Sequence, residues 1–544
     1  TRSLCDWSSD VCSSDLPTPS VGAALQGRAA GVVVQSNNGL PGGSISVIIR
    51  GVGSFSAGTA PLYIVDGVQM NGSTVGGFTQ ANTLASINPT DIESIEVLKD
   101  AASASIYGAQ AANGVVLITT KKGKAGTTKI NANFYTGTSN AIKTFDVLNT
   151  QEMISLRREA LQNANLTASA TAVRNSILPT FGLATTTTDE QIAALPSYDW
   201  QDAAFRTGRV QNYELGANGG TEKTTFYLSA SYNTMDAVIT KADFKRGTFK
   251  SNIDHKVNDK LSINANLNLS TVSQIAPFST DGSFLGSPAF SASLILPINP
   301  IYNADGTFYG LPGSGQAFYG ILNQNIIANN EYNISNQTTN TLIGSVSGVY
   351  KILPSLSFRS FYSVENRSLT GKNFVDPRTA DGYAVSGYGE VYSNWNTNIM
   401  TNQTFNFSKV FNTDHKVDAL AGFEYRRDVT NTTYGYGNGY PTPQFTNLGA
   451  AATPLSATES FSGFKSSSLF AKANYSYKGK YIISGTLRYQ GSSRFGADKQ
   501  FGFFPGVTAV WNLGDEEFMK SNWISSLKLR ASYGQTGNDQ ISNF

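Results

Sequence analysis

Runs of apolar residues long enough to cross a membrane as a helix are missing from this sequence, and charge, cysteine and histidine are scarce. No stretch of about 18 apolar residues occurs anywhere in the chain, so no helical span is expected. Charged residues make up only 14%, against the roughly 25% usual in soluble domains, yet the mean hydropathy is −0.19. Low charge without high hydropathy leaves one membrane solution, a β-barrel whose strands alternate lipid-facing and lumen-facing residues. The net charge of +2 argues against nucleic acid as a partner, because that needs a clustered basic surface.

The two cysteines, Cys5 and Cys12, both fall in the first 16 residues, TRSLCDWSSDVCSSDL. This stretch repeats Ser-Ser-Asp and lacks the charged start and apolar core of a signal peptide. Residues 1–16 therefore read as translated sequencing adapter or a disordered tail, with the native start missing. The two histidines, His255 and His415, sit in repeated Asp-His-Lys-Val stretches at 254–257 and 414–417. A repeated turn explains them better than a ligand set, since they lie at separate hairpins without a cysteine partner. No nucleophile elbow, zinc motif or phosphate loop is present. The acids Glu516-Glu517 and Asp91/Glu93 read as turn and helix-start charges. No enzyme, cofactor or metal site is expected.

The most ordered local pattern lies at 84–122. Thr90 and Glu93 have capping-box spacing, predicting a helical turn that opens at Thr90. Ile95, Val97 and Leu98 read as a strand; 101–107 reads as a short helix behind Asp100 and ending at Gly108; 115–120 reads as a second strand. Upstream, a short helix from Ser20, strands at 32–35, 46–50 and 62–66, and an Asp66-Gly67 turn complete a small α/β unit that closes near Gly123.

After Lys124 the pattern changes to period two. Across 260–270, Leu261, Ile263, Ala265, Leu267 and Leu269 face one way and Ser262, Asn264, Asn266, Asn268 and Ser270 the other. The polar faces are mostly uncharged, which suits a wet lumen, and aromatics near strand ends suit interfacial girdles. With the first strand near 127–139, about thirteen strands are counted to Gln535. Short turns at 219–223, 255–259, 351–354, 409–414 and 478–479 alternate with long segments at 140–208, 272–331, 367–390 and 428–460, as outer-membrane barrels require. An odd strand count does not close a single-chain bacterial barrel, so the expectation is a C-terminally truncated one. Residues 151–163 form the best helix outside the first unit, with Met153, Leu156 and Leu161 near helical spacing.

The wording DIESIEVLKDAASASIYGAQAANGVVLITTKKG at 91–123 resembles the plug signature of SusC/RagA-like TonB-dependent outer-membrane receptors. LQGRAAGVVV, SISVIIRGVGSF, PLYIVDGV, PINPIYNADGTFYG and the blocks GSSRFG, FFPGV and LKLRASYGQTGN agree with it. The resemblance implies a mixed architecture: a small α/β plug at 17–124 inside a transmembrane antiparallel β-barrel whose N-terminal part is 125–544. Gly51, Asp66, Gly67, Asp91, Glu93, Glu96, Tyr107, Gly108, Asn113 and Gly114 stand at signature positions. It further implies import of oligosaccharides, glycans or peptides across the bacterial outer membrane. Its partners would be TonB, engaged through a segment missing here, a SusD-like surface lipoprotein and outer-membrane lipid. In such receptors basic plug residues pair with barrel glutamates, and Arg50 and Lys99 stand at the matching places, where a solvated strand end is an equal reading. Phe308, Tyr309, Phe318, Tyr319, Tyr434, Tyr436 and Tyr440 are placed in long loops, as sugar-stacking, loop-packing or girdle residues. A siderophore-type receptor, a passive porin and a non-transporting surface-binding barrel are the rival readings. The plug wording argues against the porin.

Overall fold

The computed structural model describes residues 20–541, apart from 37–38, 55–56, 71–77, 79–81, 165–167, 278–286, 321, 323 and 520–525. Residues 1–16, with Cys5 and Cys12, lie outside them. The N-terminal unit begins with α1 (Val21–Leu25) and an antiparallel pair, β1 (Val32–Ser36) and β2 (Ile45–Ile49). A second sheet has the order β4-β3-β6-β5, built from β3 (Leu62–Val65), β4 (Val68–Gln69), β5 (Ile92–Leu98) and β6 (Val115–Thr120). β3 and β6 run parallel, and the other neighbours are antiparallel.

Local chemistry explains these elements. Asp66 and Gly67 carry φ of +50° and +89°, the left-handed pair that closes a two-residue hairpin between β3 and β4. The turn expected to open at Thr90 is a 3-10 turn over Pro89–Asp91, and its cap is Asn88, whose side chain accepts from the Thr90 amide. Asp100 stands at the N-cap of α2 (Ala101–Ala104) but makes no side-chain cap bond; its carboxylate is engaged by Arg50 instead. α2 runs on into a 3-10 segment, Ser105–Gln110, bent at Gly108 with φ 60°. The core between these elements is apolar, with Ile49, Tyr63, Val65, Ile87, Val116 and Ile118 all buried.

The rest of the chain forms one sheet of thirteen antiparallel strands in chain order. They are β7 (Gly126–Ser139), β8 (Gly208–Gly220), β9 (Thr224–Asp236), β10 (Asp243–Lys256), β11 (Leu261–Ile275), β12 (Ile334–Leu353), β13 (Leu356–Val375), β14 (Tyr388–Phe411), β15 (His415–Asn438), β16 (Thr453–Tyr477), β17 (Tyr481–Ser492), β18 (Phe501–Trp511) and β19 (Leu529–Gly534). The sheet is open among the described residues, with β7 and β19 at its edges. From β10 to β17 the short and long connections alternate as expected, while 237–242 is short on the long-loop side and 512–528 long on the short-turn side; β13 to β16 also reach further than the pattern suggested. The connections 376–387 and 439–452 are shorter for that reason, and Tyr434 and Tyr436 belong to β15 rather than to a loop. α3 (Thr150–Ala164) lies in the first long connection. Met153 and Leu161 pack there as expected, but Ile154, not Leu156, is the buried residue, beside Leu178, Phe181 and Leu296.

Burial along these strands is inverted relative to a soluble protein. On β11 Asn268, Ser270 and Gln274 are buried, while Ile263 and Leu269 are exposed. The same holds on β10, where Arg246, Thr248, Lys250 and Asn252 are buried and Phe249 and Ile253 exposed. A mostly polar concave face, with apolar patches such as Phe244, Val272, Ile343, Phe361 and Met400 that pack against the plug, and an apolar convex face are what a wall between lumen and lipid requires. No helix among the described residues is long and apolar enough to span a membrane. Aromatic residues mark the height of the wall. Near the short turns Tyr477 stacks on Tyr481, and Tyr481 on Trp511; nearer the long loops Tyr489 stacks on Phe501. The eight residues from Tyr481 to Tyr489 span about 26 Å along the strand, close to the roughly 25 Å apolar band of such barrels.

Candidate functional site: the seam between plug and wall

The small unit sits against the concave face of the sheet, and polar groups buried between them make the site. At one end Asp66, in the β3–β4 turn, takes the Thr120 amide at 2.9 Å and the Thr120 hydroxyl at 2.5 Å. The second of its carboxylate oxygens also meets Lys250 Nζ of β10 at 3.3 Å, with the lysine side chain 2% exposed. Asp91 is buried beside it and accepts from Tyr227 Oη at 2.8 Å and Ser229 Oγ at 2.6 Å, both on β9. Arg246 of β10 donates to the carbonyls of Ala85 and Ile87, and Arg367 of β13 donates to Thr83 Oγ1. Asp66 and Asp91 are on the plug, and Lys250, Arg246 and Arg367 are on the wall.

At the other end the wall supplies both signs. Glu424 of β15 accepts from Arg488 Nη2 at 2.5 Å, Asn402 Nδ2 at 3.1 Å and Gln69 Nε2 at 3.2 Å. Arg488 of β17 also donates to the Ile106 carbonyl at 2.8 Å and to Gln490 Oε1 at 3.0 Å. The same Gln490 oxygen receives the Ala109 amide at 3.1 Å. Arg426 of β15 donates to Gln110 Oε1 at 3.0 Å, Gln69 Oε1 at 3.3 Å and Asn398 Oδ1 at 3.1 Å, and Asn398 Nδ2 holds the Gln69 carbonyl at 2.7 Å. Asp66, Glu424, Arg426 and Arg488 each have several partners, which is the condition under which burying a charge is tolerable, whereas Lys250 meets Asp66 and Arg367 meets Thr83. Beyond β19, residues 537–540 join the seam through the Gly537 amide to the Gly108 carbonyl and the Asp539 amide to the Ala109 carbonyl.

The signature residues divide by role. Asp66, Asp91 and Gly108 meet the wall. A Cβ on Gly108 would collide with Gln490 Oε1 and lie 2.9 Å from Arg488 Nε, and the φ of +60° favours glycine as well. Tyr107 packs beside that segment, and its phenol is pushed up to about 12, first by burial and then by the nearby Glu424. Gly51, Gly67, Asn113 and Gly114 shape the plug itself: Asn113 Nδ2 holds the Gly58 carbonyl at 2.7 Å, and a Cβ on Gly114 would lie 2.8 Å from Ile49. Glu93 is exposed and Glu96 half-buried on β5.

Arg50 and Lys99, the lock that the resemblance implied, make their contacts in this chain within the plug. Arg50 pairs with Asp100 at 2.6 Å, with side chains 56% and 50% exposed, and Lys99 Nζ donates to the Ala30 carbonyl at 2.5 Å. Both partners lie in the plug, at its surface. Sequence reading missed Gln69, Gln110, Lys250, Arg246, Arg367, Asn398, Glu424, Arg426 and Arg488. The available signal was a charged residue on a strand face otherwise made of Asn, Ser and Thr.

One cavity adjoins the site and another lies in the loops. The first, of about 590 Å³, lies between plug and wall on the long-loop side, where Arg426, Asp428, Arg494 and Asp539 face Tyr63 and Met70. The other, of about 880 Å³, lies in the loops, lined by 310–318, Asn325, Asn329, Asp381 and Tyr383. Burial raises the Asp381 carboxyl above the usual carboxylate range. The loop aromatics mostly pack on one another: Phe308 on Tyr302 and Tyr332, Phe318 on Trp200 and Tyr309, and Tyr440 on Phe374. Tyr319 packs beside the Leu178 and Phe181 cluster. The histidines make separate contacts, His255 with Thr224 Oγ1 and His415 with Tyr475 Oη.

A folded plug seated on the polar face of an apolar-backed antiparallel wall defines a plugged outer-membrane β-barrel. Known proteins narrow that class. Residues 13–115 match the TonB-dependent Receptor Plug Domain, and residues 355–543 match the TonB dependent receptor-like, beta-barrel family. TonB-dependent receptor P3 of Formosa agariphila is 30% identical over 551 residues, which cover 98% of this chain and 50% of that protein. TonB-dependent receptor SusC of Bacteroides thetaiotaomicron is 29% identical over 547 residues, covering 95% and 50%. The RagAB peptide importer in its closed-closed state superposes with a TM-score of 0.81 at 23% identity, over 98% of this chain and 60% of that one. The chain belongs to the SusC/RagA-like TonB-dependent receptors of the bacterial outer membrane. It spans about half the length of the curated relatives it matches.

Proposed function

We propose that residues 17–124 are the plug, and 125–544 part of the barrel wall, of a TonB-dependent transporter that imports oligosaccharides, glycans or peptides. A SusD-like surface lipoprotein would act as its lid, and TonB would supply the pull that opens a path past the plug. The observation that carries this reading is the buried polar seam. A passive pore has no use for a folded domain held in its lumen, whereas a gated importer needs one that is held firmly and released on demand. Hydrogen bonds suit that task, because water can replace them as the plug shifts, with a net cost of about 0.5–1.5 kcal/mol for each neutral one. The cavity between plug and wall presents cations and carboxylates together, which favours a polar cargo. The likeness to the RagAB peptide importer supports an oligopeptide or a molecule of similar size.

The test is to express the protein from its own gene with its genomic neighbours. Purification from outer membranes is followed by uptake assays with labelled peptide and oligosaccharide pools, in cells with and without TonB. Co-purification of a lipid-anchored partner and TonB-dependent uptake of one pool is the expected result. A lone barrel that takes up only ferric chelates would contradict this reading in favour of a siderophore-type receptor. A barrel that binds ligand but never internalises it would favour a surface-binding protein.

A further inference from the structure

On the convex face of the wall, Arg427 of β15 and Lys465 of β16 are directly opposed in the strand register, and both are exposed. Like charges facing each other across an antiparallel pair destabilise it, because the Cβ atoms lie only about 5 Å apart. No ion pair among the described residues offsets the repulsion. In the same row are Ile399 of β14 and Ser493, whose hydroxyl accepts the Lys465 amide. The row towards the long loops holds Thr397, Val429 and Gly463; the row towards the short turns holds Thr401, Tyr425, Ser467 and Gly491. None carries a carboxylate. The neighbouring acids Glu424 and Asp428 are buried on the concave face. Among the described residues neither cation has an ion-pair partner. Lys245, another outward cation of the wall, lies close to the Asp236 and Asp243 pair in the register.

The height of the pair is informative. The Tyr489–Phe501 stack marks the long-loop edge of the apolar band, and Tyr489 aligns with Leu469 of β16. Lys465 lies four residues further on, about 13 Å along the strand. The exposed Phe461 lies four residues beyond that. Two uncompensated cations bracketed by aromatic residues just outside the apolar band sit where lipid head groups begin.

We infer that Arg427 and Lys465 form a binding site for the phosphate of a lipid in the outward-facing leaflet, with the guanidinium giving paired hydrogen bonds and the ammonium a point charge. Ser493 and Ser467 offer hydroxyls at the rim. Such a lipid would neutralise the repulsion between β15 and β16, the strands that carry Glu424, Arg426 and Asp428 on their other face. The inference depends on the membrane position of the wall and not on transport.

Native mass spectrometry of the purified protein, after exchange into detergent micelles doped with lipid A or with the same lipid dephosphorylated, tests it. The wild type should retain the phosphorylated lipid at least tenfold better than the dephosphorylated one, and the R427S/K465S double variant should lose that preference. R427E places a carboxylate opposite Lys465 and should abolish retention while keeping the heat stability of the barrel, which separates lost binding from lost folding. Equal retention by wild type and double variant would overturn the inference. So would equal retention of both lipids, or saturation of the site by inorganic phosphate at concentrations that leave lipid A unable to compete.

Discussion

Asp66 and Lys250 meet at 3.3 Å across the boundary between plug and wall, with the lysine side chain 2% and the aspartate side chain 9% exposed. The aspartate is held in place by its own turn and by both Thr120 groups, so it is presented to the lysine already oriented. Removing one partner of such a pair strands the other charge, at a typical cost of 3–5 kcal/mol. Lys250→Met should therefore loosen the plug by about that order. Amide exchange in β3 and β6 would show it, as faster exchange than in the wild type with β14 to β16 unaffected.

At Gly108 the plug backbone comes close to the wall side chains of Gln490 and Arg488. Gly108→Ala should push the 105–110 segment away from Gln490 and Arg488, lowering the thermal midpoint of the protein and exposing that segment to protease. Gly137→Ala is the matched control, since a Cβ there meets nothing within 4 Å and the backbone needs no left-handed conformation.

Arg488 and Glu424 act as a unit, because the arginine also carries the Ile106 carbonyl and the glutamate also carries Gln69. In a double-mutant cycle Arg488→Met and Glu424→Gln should be non-additive, with a coupling in the range of about 0.5–3 kcal/mol. Equilibrium unfolding in denaturant measures it, and strict additivity would show that the seam is a set of independent contacts.

Glu516 follows β18 on the short-turn side and accepts from Tyr481 Oη, Trp511 Nε1 and Lys480 Nζ. These donors, the tyrosine first, hold its carboxyl down to about 2. The folded value is thus below the unfolded one of about 4.3. Its contribution is present above the unfolded value and is lost as pH falls through about 2. Glu516→Gln should lower the thermal midpoint at pH 7, and the difference from wild type should shrink steadily between about pH 5 and pH 2.

Much of the fold was legible because barrel strands announce themselves by period two and by uncharged polar faces. The strand at 115–120 appears at those residues, and the thirteen strands of the wall agree with the count. The seam was not legible in the same way. Gln69 and Glu424 are 355 residues apart in sequence, and nothing local says which inward residue of a strand meets the plug. Asp66 stood out only as turn chemistry, and its bond to Lys250 depends on where the plug seats. Arg50 and Lys99 were suggested by their places in a motif, but Asp100, fifty positions after Arg50, captures the first of them.

The most direct measurement is the force needed to draw the plug out of the barrel, pulling from the N-terminal side in a supported bilayer. The account predicts that Lys250→Met combined with Arg488→Met lowers that force substantially. Arg50→Ala combined with Lys99→Ala should leave it within error, because exposed contacts within the plug contribute at most about 1 kcal/mol. The reverse pattern, with the surface pair controlling release and the buried pair silent, would contradict the claim that the polar seam holds the plug.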